Sequence, residues 1–214
     1  MPNFYRTRLR LTGEPQFSKI FLAEGLAEAL FLDTLFSNKG YDPNEYCVFC
    51  FEGITKFGTA LKILCTEPNF KHVTSLGIMV DADSDPNGRL KGILGELAKY
   101  DLANKRTDPL ENNIFEFSER RIGIFISPGG ENEGRIETMI VEEIASTKED
   151  DCISEFNQCI SSKHNITLDE KAIVQIYISL KRSNLCGTGR GFEAGIFDID
   201  HKAYRLAVRV FTEL

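Results

Sequence analysis

The chain contains no tryptophan and only three histidines in 214 residues, which leaves few candidates for histidine-based metal or nucleophile chemistry. It has no GxxxxGK(S/T), GxSxG, HExxH or GxGxxG pattern, which argues against a P-loop ATPase, a hydrolase elbow, a zinc protease and a dinucleotide fold. No apolar run approaches the roughly 20 residues of a membrane span, and the first residues lack the apolar centre of a secretory leader. We therefore expect a cytoplasmic protein without a membrane partner.

The six cysteines do not show the spacing of a metal or disulfide framework. Without a secretory leader we expect them to be reduced thiols. Cys47 and Cys50 have the CxxC spacing of a zinc ribbon, but no second pair follows them, and their alternation suits core positions of a strand. The length and the hydrophobic content of 42% suit one elaborated domain with a substantial core.

Apolar runs and helical periodicities alternate along residues 19–145, as in a mostly parallel sheet. We expect strands at 4–12, 20–23, 46–51, 74–80 and 121–127. We expect helices at 26–35, 55–65, 86–102, 133–145, 152–160, 168–180 and 201–212, a mostly irregular segment at 101–118, and a glycine-rich segment at 186–195. The predicted fold class is α/β, with a central mostly parallel sheet flanked by helices and a helical C-terminal elaboration. Residues 1–150 would form the core with its N-terminal strand, and residues 151–214 an extension packed on it.

Three carboxylates follow one of the predicted strands at alternate positions: Asp81, Asp83 and Asp85 come directly after the apolar run 76–80. Acids crowded at a strand's carboxyl end repel one another unless a cation neutralises them. In an open α/β sheet this edge is also where ligands bind. The pattern therefore predicts a magnesium site.

Two further acids have comparable places in the chain. Glu24 follows the first core strand, and Glu137 lies near the start of the helix after the strand at 121–127. Because parallel strands end at one edge of a sheet, these acids would converge on the Asp81 cluster. Simpler explanations remain open: Glu24 as an acid favoured by a helix dipole, Asp85 as a helix cap, and Glu137 as an ordinary helix acid.

The acid cluster also invites comparison with other aspartate motifs. A calcium-binding EF-hand loop needs glycine at its sixth position and glutamate at its twelfth, but this chain has Pro86 and Gly92 there. A phosphatase of the haloacid dehalogenase type uses DxD after a strand, with the first Asp as nucleophile. Such an enzyme needs a later acid pair after an apolar strand, and the pair at Asp150 follows polar residues instead.

Three short motifs together resemble the TOPRIM domain of topoisomerases, bacterial primases and OLD-type nucleases. They are FLAEG at 21–25, VDADSD at 80–85 and GRIE at 134–137. The chain is similar to a stand-alone TOPRIM-like protein of an uncharacterised prokaryotic family, with the similarity covering about residues 18–145. Absent are the topoisomerase tyrosine domain, the primase zinc ribbon and the ATPase that accompanies OLD-type domains.

The resemblance implies a role for each acid. Glu24 would act as general acid or base, or would bind a second metal. Asp81 and Asp83 would hold Mg²⁺ or Mn²⁺ with help from Asp85, and Glu137 would complete the set. Two cations roughly 4 Å apart can clamp the attacking and leaving oxygens of a phosphodiester, which is why such a site needs several acids.

A phosphodiester substrate also needs cationic side chains. Candidates are Arg6, Arg8 and Arg10 on one strand face, Arg89 just past the acids, and Arg190 in the glycine-rich segment. The first three would equally suit an edge strand protected from aggregation, Arg89 the solvated face of a helix, and Arg190 a plain flexible loop. Lys181 and Arg182 are a further basic pair. The formal charge of −7 argues against broad nonspecific binding to nucleic acid, but it allows a local basic track.

Two functions follow as hypotheses. The first is a metal-dependent phosphoryl-transfer enzyme, a nuclease that cleaves DNA or RNA. The second is a noncatalytic TOPRIM-like module that binds or regulates a separately encoded ATPase. A phosphatase of the haloacid dehalogenase type is a third alternative.

Overall fold

The computed structural model describes residues 4–5, 17–104 and 113–214, and six strands of this part form one sheet. In chain order they are β1 (Phe4–Tyr5), β2 (Lys19–Ala23), β3 (Tyr46–Cys50), β4 (Ser75–Asp81), β5 (Ile114–Phe117) and β6 (Arg120–Ser127). Their order across the sheet is β1-β3-β2-β4-β6-β5, and every neighbouring pair is parallel except β5 with β6. This confirms the predicted α/β class with a mostly parallel sheet.

Helices cover both faces of the sheet. They are α1 (Leu26–Asn38), α2 (Phe57–Thr66), α3 (Pro86–Ala98), α4 (Ile136–Ile144), α5 (Glu149–His164), α6 (Glu170–Lys181), α7 (Thr188–Glu193) and α8 (Arg205–Thr212). None of the helices in the described ranges is long and apolar enough to cross a bilayer.

Alternate residues of the strands feed two hydrophobic clusters, one on each face. On β2, Phe21 and Ala23 join one cluster with residues of α1, α4, α6 and α8, whereas Ile20 and Leu22 join the other with α2 and α3. This alternation is what a strand buried on both faces requires. Because Ile153 of α5 and Val174 of α6 also belong to the first cluster, the C-terminal helices pack against the same core as α1.

The observed elements differ from the expected ones in four places. An edge strand, β5, lies within the segment expected to be mostly irregular, and α7 lies within the glycine-rich segment. The helix expected from residue 133 begins at Ile136, and the one expected from residue 201 begins at Arg205 after a short 3-10 turn. Of the strand expected at 4–12, only β1 falls within the described residues. The division at residue 150 stays a prediction.

Candidate functional site

Glu24 connects the carboxyl ends of two neighbouring strands. It follows β2 directly, and its Oε2 accepts a hydrogen bond of 3.2 Å from the backbone N–H of Asp81, the last residue of β4. Its Oε1 accepts a bond of 3.1 Å from the N–H of Ile54, in the turn after β3. Two backbone donors therefore fix the orientation of this carboxylate at the sheet edge.

Asp81 connects the same edge to helix α4. Its Oδ1 accepts a 3.1 Å hydrogen bond from the N–H of Ile136, the first residue of α4, where the helix leaves N–H groups without partners inside the helix. Glu137 follows in the first turn of α4 and is only 5% exposed. Its Oε1 accepts a 3.1 Å bond from the hydroxyl of Thr188, at the start of α7.

Glu28 is a fourth carboxylate at this edge, and sequence reasoning missed it. It lies one helical turn after Glu24, in the first turn of α1, and is 3% exposed. A side chain at Gly25 would place its Cβ 2.6 Å from Oε2 of Glu28, so this close approach requires glycine. A glutamate four residues after the motif acid, within an otherwise apolar helix start, was the available signal.

These four acids, Glu24, Glu28, Asp81 and Glu137, line one cavity of about 710 Å³, which we call the carboxylate pocket. Burial raises the pKa of Glu28 to about 7, and repulsion from Glu137 and Glu24 adds to the rise. Burial also raises the pKa of Asp81 to about 8, reinforced by the charges of Glu28, Glu24 and Glu137, although the N–H of Ile136 opposes it. The negative charge of the pocket is thus only weakly compensated.

Two cationic side chains also line the carboxylate pocket. Arg190 pairs at 3.1 Å with Glu193 on α7. Lys171, near the start of α6, forms no ion pair with any described residue. It also lines a neighbouring groove of about 910 Å³, which contains Asp83, Ser84 and Glu137. Nothing in the sequence around Lys171 marked it as a site residue.

Asp83 has a different environment, although it is two residues from Asp81. Its carboxylate contacts Arg89 at 2.7 Å and Arg135 at 3.1 Å, so two guanidiniums neutralise its charge. Its backbone exchanges two 2.9 Å hydrogen bonds with Gly134 and has a φ of 51°, a left-handed conformation that aspartate tolerates. Asp83 therefore joins the turn after β4 to the segment before α4.

Asp85 acts as a helix cap. Its Oδ1 accepts a 2.8 Å hydrogen bond from the N–H of Gly88, and Pro86 occupies the first position of α3. The structure thus places Glu24, Asp81 and Glu137 together and directs Asp83 and Asp85 to other partners.

The remaining basic residues that the sequence singled out are dispersed. Arg89 is engaged with Asp83, and Arg190 lies at the carboxylate pocket. Arg6, Arg8 and Arg10 lie outside the described residues. Lys181 pairs with Glu149 at 2.6 Å on the C-terminal helices.

The donors of the carboxylate pocket fit a hard divalent cation by their chemistry. Four carboxylates meet there, and a cation would relieve the repulsion that raises two of their pKa values. The hydroxyl of Ser127, which pairs in register with Asp81, is fully buried and finds no hydrogen-bond partner among the described residues. No group of three or more Asp, Glu, His or Cys side chains in those residues is already gathered around one point. Binding would therefore require the carboxylates to close around the ion.

Fold and site together define an α/β protein with an acidic pocket at the carboxyl edge of a parallel sheet. The chain belongs to the family described as "Protein of unknown function (DUF3226)", whose model matches residues 18–214. No curated protein matches it.

Solved structures share the fold at low identity. The hypothetical protein PH0156 from Pyrococcus horikoshii OT3 is similar with a TM-score of 0.58 and 15% identity, over 91% of this chain and 94% of that one. The C-terminal region of the Burkholderia pseudomallei OLD protein gives a TM-score of 0.48 and 14% identity, over 92% and 98%. That of the Xanthomonas campestris pv. campestris OLD protein, phased with platinum, gives 0.47 and 16%, over 92% and 93%.

Proposed function

We propose that this protein is a metal-dependent phosphoryl-transfer enzyme of the TOPRIM-like type, a nuclease that cleaves phosphodiester bonds of DNA or RNA. The observation that carries the proposal is the carboxylate pocket, where burial and mutual repulsion raise the pKa values of Asp81 and Glu28. Such repulsion is costly unless a cation or protons compensate it, and binding sites are where that cost is found.

Asp81, Glu28 and Glu137 are the groups that would hold Mg²⁺ or Mn²⁺. The cation would polarise the phosphodiester and neutralise charge on its oxygens. Glu24, held by two backbone amides, is oriented to move a proton or to hold a second ion. Asp83 would join the set only after release from Arg89 and Arg135, and Asp85 would support it by fixing the start of α3.

Lys171 and Arg190 are the cationic groups closest to the proposed chemistry, because both line the carboxylate pocket. Their ammonium and guanidinium groups would contact the phosphate that the carboxylates alone would repel. Arg89 and Arg135 would exchange Asp83 for a phosphate oxygen when the substrate binds.

The test is cleavage of supercoiled plasmid, single-stranded DNA and RNA in Mg²⁺, Mn²⁺ or EDTA. Wild type should cut at least one substrate in a metal-dependent way, and Asp81→Asn should not. The matched control is Asp151→Asn, an exposed acid in the first turn of α5. Cleavage that survives in Asp81→Asn, or that EDTA does not stop, would contradict the proposal.

One observation favours the second candidate, a noncatalytic module that partners a separately encoded ATPase. The helices α5 and α6 form an apolar cavity of about 600 Å³ at the surface, where Phe156 is 50% and Leu180 55% exposed. Exposed apolar side chains in a group suit a protein partner. Under this alternative Asp81→Asn would leave partner binding unchanged and wild type would cleave nothing.

A further inference from the structure

A second cavity lies at the same edge of the sheet but on the opposite face. It has a volume of about 750 Å³ and lies between α2, α3 and the turn after β4; we call it the α2–α3 cleft. The helices beside it pack on the hydrophobic cluster that contains Ile20 and Leu22, whereas the carboxylate pocket adjoins the cluster on the other face. A volume of this size is typical of a small-molecule site.

The lining of the α2–α3 cleft combines apolar and hydrogen-bonding groups. Ile54, Phe57, Ala82 and Ile93 supply apolar surface, and Phe57 and Ile93 are almost fully buried. The hydroxyl-bearing residues that line it are Thr55, Thr59 and Ser84. An apolar surface beside hydroxyl groups suits a flat ring with polar edges.

Its charged groups exclude an anionic occupant. Three carboxylates line the α2–α3 cleft, those of Asp83, Asp85 and Glu96, against the single guanidinium of Arg89. Arg89 is already paired with Asp83, and its side chain is only 15% exposed. An uncharged occupant whose amino groups donate hydrogen bonds to carboxylates fits this balance better than a phosphate does.

The absence of a side chain at Gly92 keeps the α2–α3 cleft wide. Gly92 lies inside α3, where glycine costs about 1 kcal/mol of helix stability relative to alanine. A Cβ there would meet no atom within 4 Å, so packing does not require glycine. Gly95, on the same helix, is equally unconstrained but does not line the cleft.

The α2–α3 cleft connects to the proposed chemistry through two residues. Asp83 and Ser84 line both this cleft and the groove that Glu137 and Lys171 share with the carboxylate pocket. A chain whose phosphate lies at the carboxylates can therefore pass over Asp83 and place its next ring between α2 and α3.

We infer that the α2–α3 cleft binds an unpaired nucleobase of the strand whose phosphodiester lies at the carboxylate pocket, so that the substrate is single-stranded there. The inference rests on the proposed nuclease function. A base in a duplex must leave its partner and its stack before it can enter a cleft between two helices. Unpaired bases of a single strand are free to do so.

The test compares Gly92→Leu with the matched variant Gly95→Leu. The probe is a fluorescent five-nucleotide single strand, with its duplex and free adenosine as competitors, in Ca²⁺ to hold the phosphates. Since one bound base is worth about 1–3 kcal/mol, Gly92→Leu should weaken binding at least about fivefold. Gly95→Leu should leave binding within about twofold, adenosine should compete, and the duplex should compete poorly.

Equal affinities of the two variants, a duplex that binds as tightly as the single strand, or no binding by wild type would each overturn the inference. Gly92→Ala gives a second check, because it strengthens the helix and should retain nearly full binding. The two proposals fail separately. Metal-dependent cleavage with no effect of Gly92→Leu would leave the nuclease and remove the base site. Binding that depends on Gly92 without any cleavage would do the reverse.

Discussion

Asp81 and Asp83 are two residues apart in one motif, yet they belong to regions with opposite electrostatics. Asp81 faces Glu24, Glu28 and Glu137, and its pKa is raised to about 8 by burial and their charges. Asp83 lies in the turn after β4 between Arg89 and Arg135, which neutralise it. The uncompensated region is where a cation is missing, and the compensated turn fixes the geometry around it.

The difference shows what a carboxylate contributes once its partners are known. In the turn, Asp83 and Asp85 satisfy guanidiniums and a helix start, which are structural tasks. In the carboxylate pocket, the acids have backbone and hydroxyl donors but no guanidinium or ammonium paired with them among the described residues. Function should therefore be more sensitive to the pocket than to the turn.

The largest effect should come from Asp81→Asn compared with Asp85→Asn. If the cation supplies several kcal/mol of transition-state stabilisation, Asp81→Asn should lower metal-dependent cleavage on the order of a thousandfold. Asp85→Asn, which alters only a helix cap, should lower it less than about tenfold. Initial rates on the preferred substrate measure both. Similar losses in the two variants would end the distinction between pocket and turn.

The next effect is a pH dependence of stability in metal-free protein. The pKa values of Asp81 and Glu28 are raised to about 8 and about 7, whereas in the unfolded chain both groups titrate near pH 4. Between these values the folded state binds more protons than the unfolded state, so the free energy of unfolding should fall as pH rises from about 4 to about 8.

Urea unfolding at pH 5 and pH 8 in EDTA measures this fall. Mg²⁺ should reduce it, and Glu28→Gln should make the remaining dependence shallower. Glu155→Gln, an exposed change on α5, serves as the control. Stability that rises over this range, or that Glu28→Gln does not alter, would show that the pocket is not the source.

A smaller effect should follow from weakening the turn. Arg135→Gln removes one of the two guanidiniums on Asp83, and both members of that pair are about half exposed. Exposed ion pairs contribute up to about 1 kcal/mol, so Mn²⁺ affinity should rise by no more than about fivefold. Arg209→Gln, which removes an exposed pair with Glu213, should leave affinity unchanged. Calorimetric titration distinguishes the two, and a decrease in affinity for Arg135→Gln would be the opposite of this expectation.

The smallest effect concerns Asp85→Ala. Loss of the cap on α3 should lower the free energy of unfolding by about 1 kcal/mol, with little change in cation affinity. In metal-free protein at pH 8, Asp81→Asn should instead raise stability, because it removes a charge from a repulsive cluster. Urea unfolding of the two variants side by side checks this contrast in sign.

Much of the fold follows from the sequence, because core strands of a parallel sheet are short apolar runs. The runs before Glu24 and Asp81 predicted β2 and β4, and the parallel order placed their ends together. The strand β5 was not expected, since Phe115 and Phe117 lie in a polar segment whose pairing partner, β6, follows later. Antiparallel pairing at an edge depends on tertiary contacts more than on local pattern.

The candidate site was predicted in part for a related reason. Motif spacing located Glu24, Asp81 and Glu137, because each follows a strand end or begins a helix. It could not locate Glu28, whose burial depends on Gly25 and on the packing of α1, or Lys171, which reaches the site from a distant helix. The motif also treated Asp83 and Asp85 like Asp81, since arginine partners from elsewhere in the chain are invisible to it.

The most direct measurement is calorimetric titration of Mn²⁺ into metal-free wild type, Asp81→Asn and Asp85→Asn at pH 8. If the carboxylate pocket is the cation site, wild type and Asp85→Asn should show saturable binding that Asp81→Asn lacks. Absence of saturable binding to wild type, or equal binding to Asp81→Asn, would contradict it.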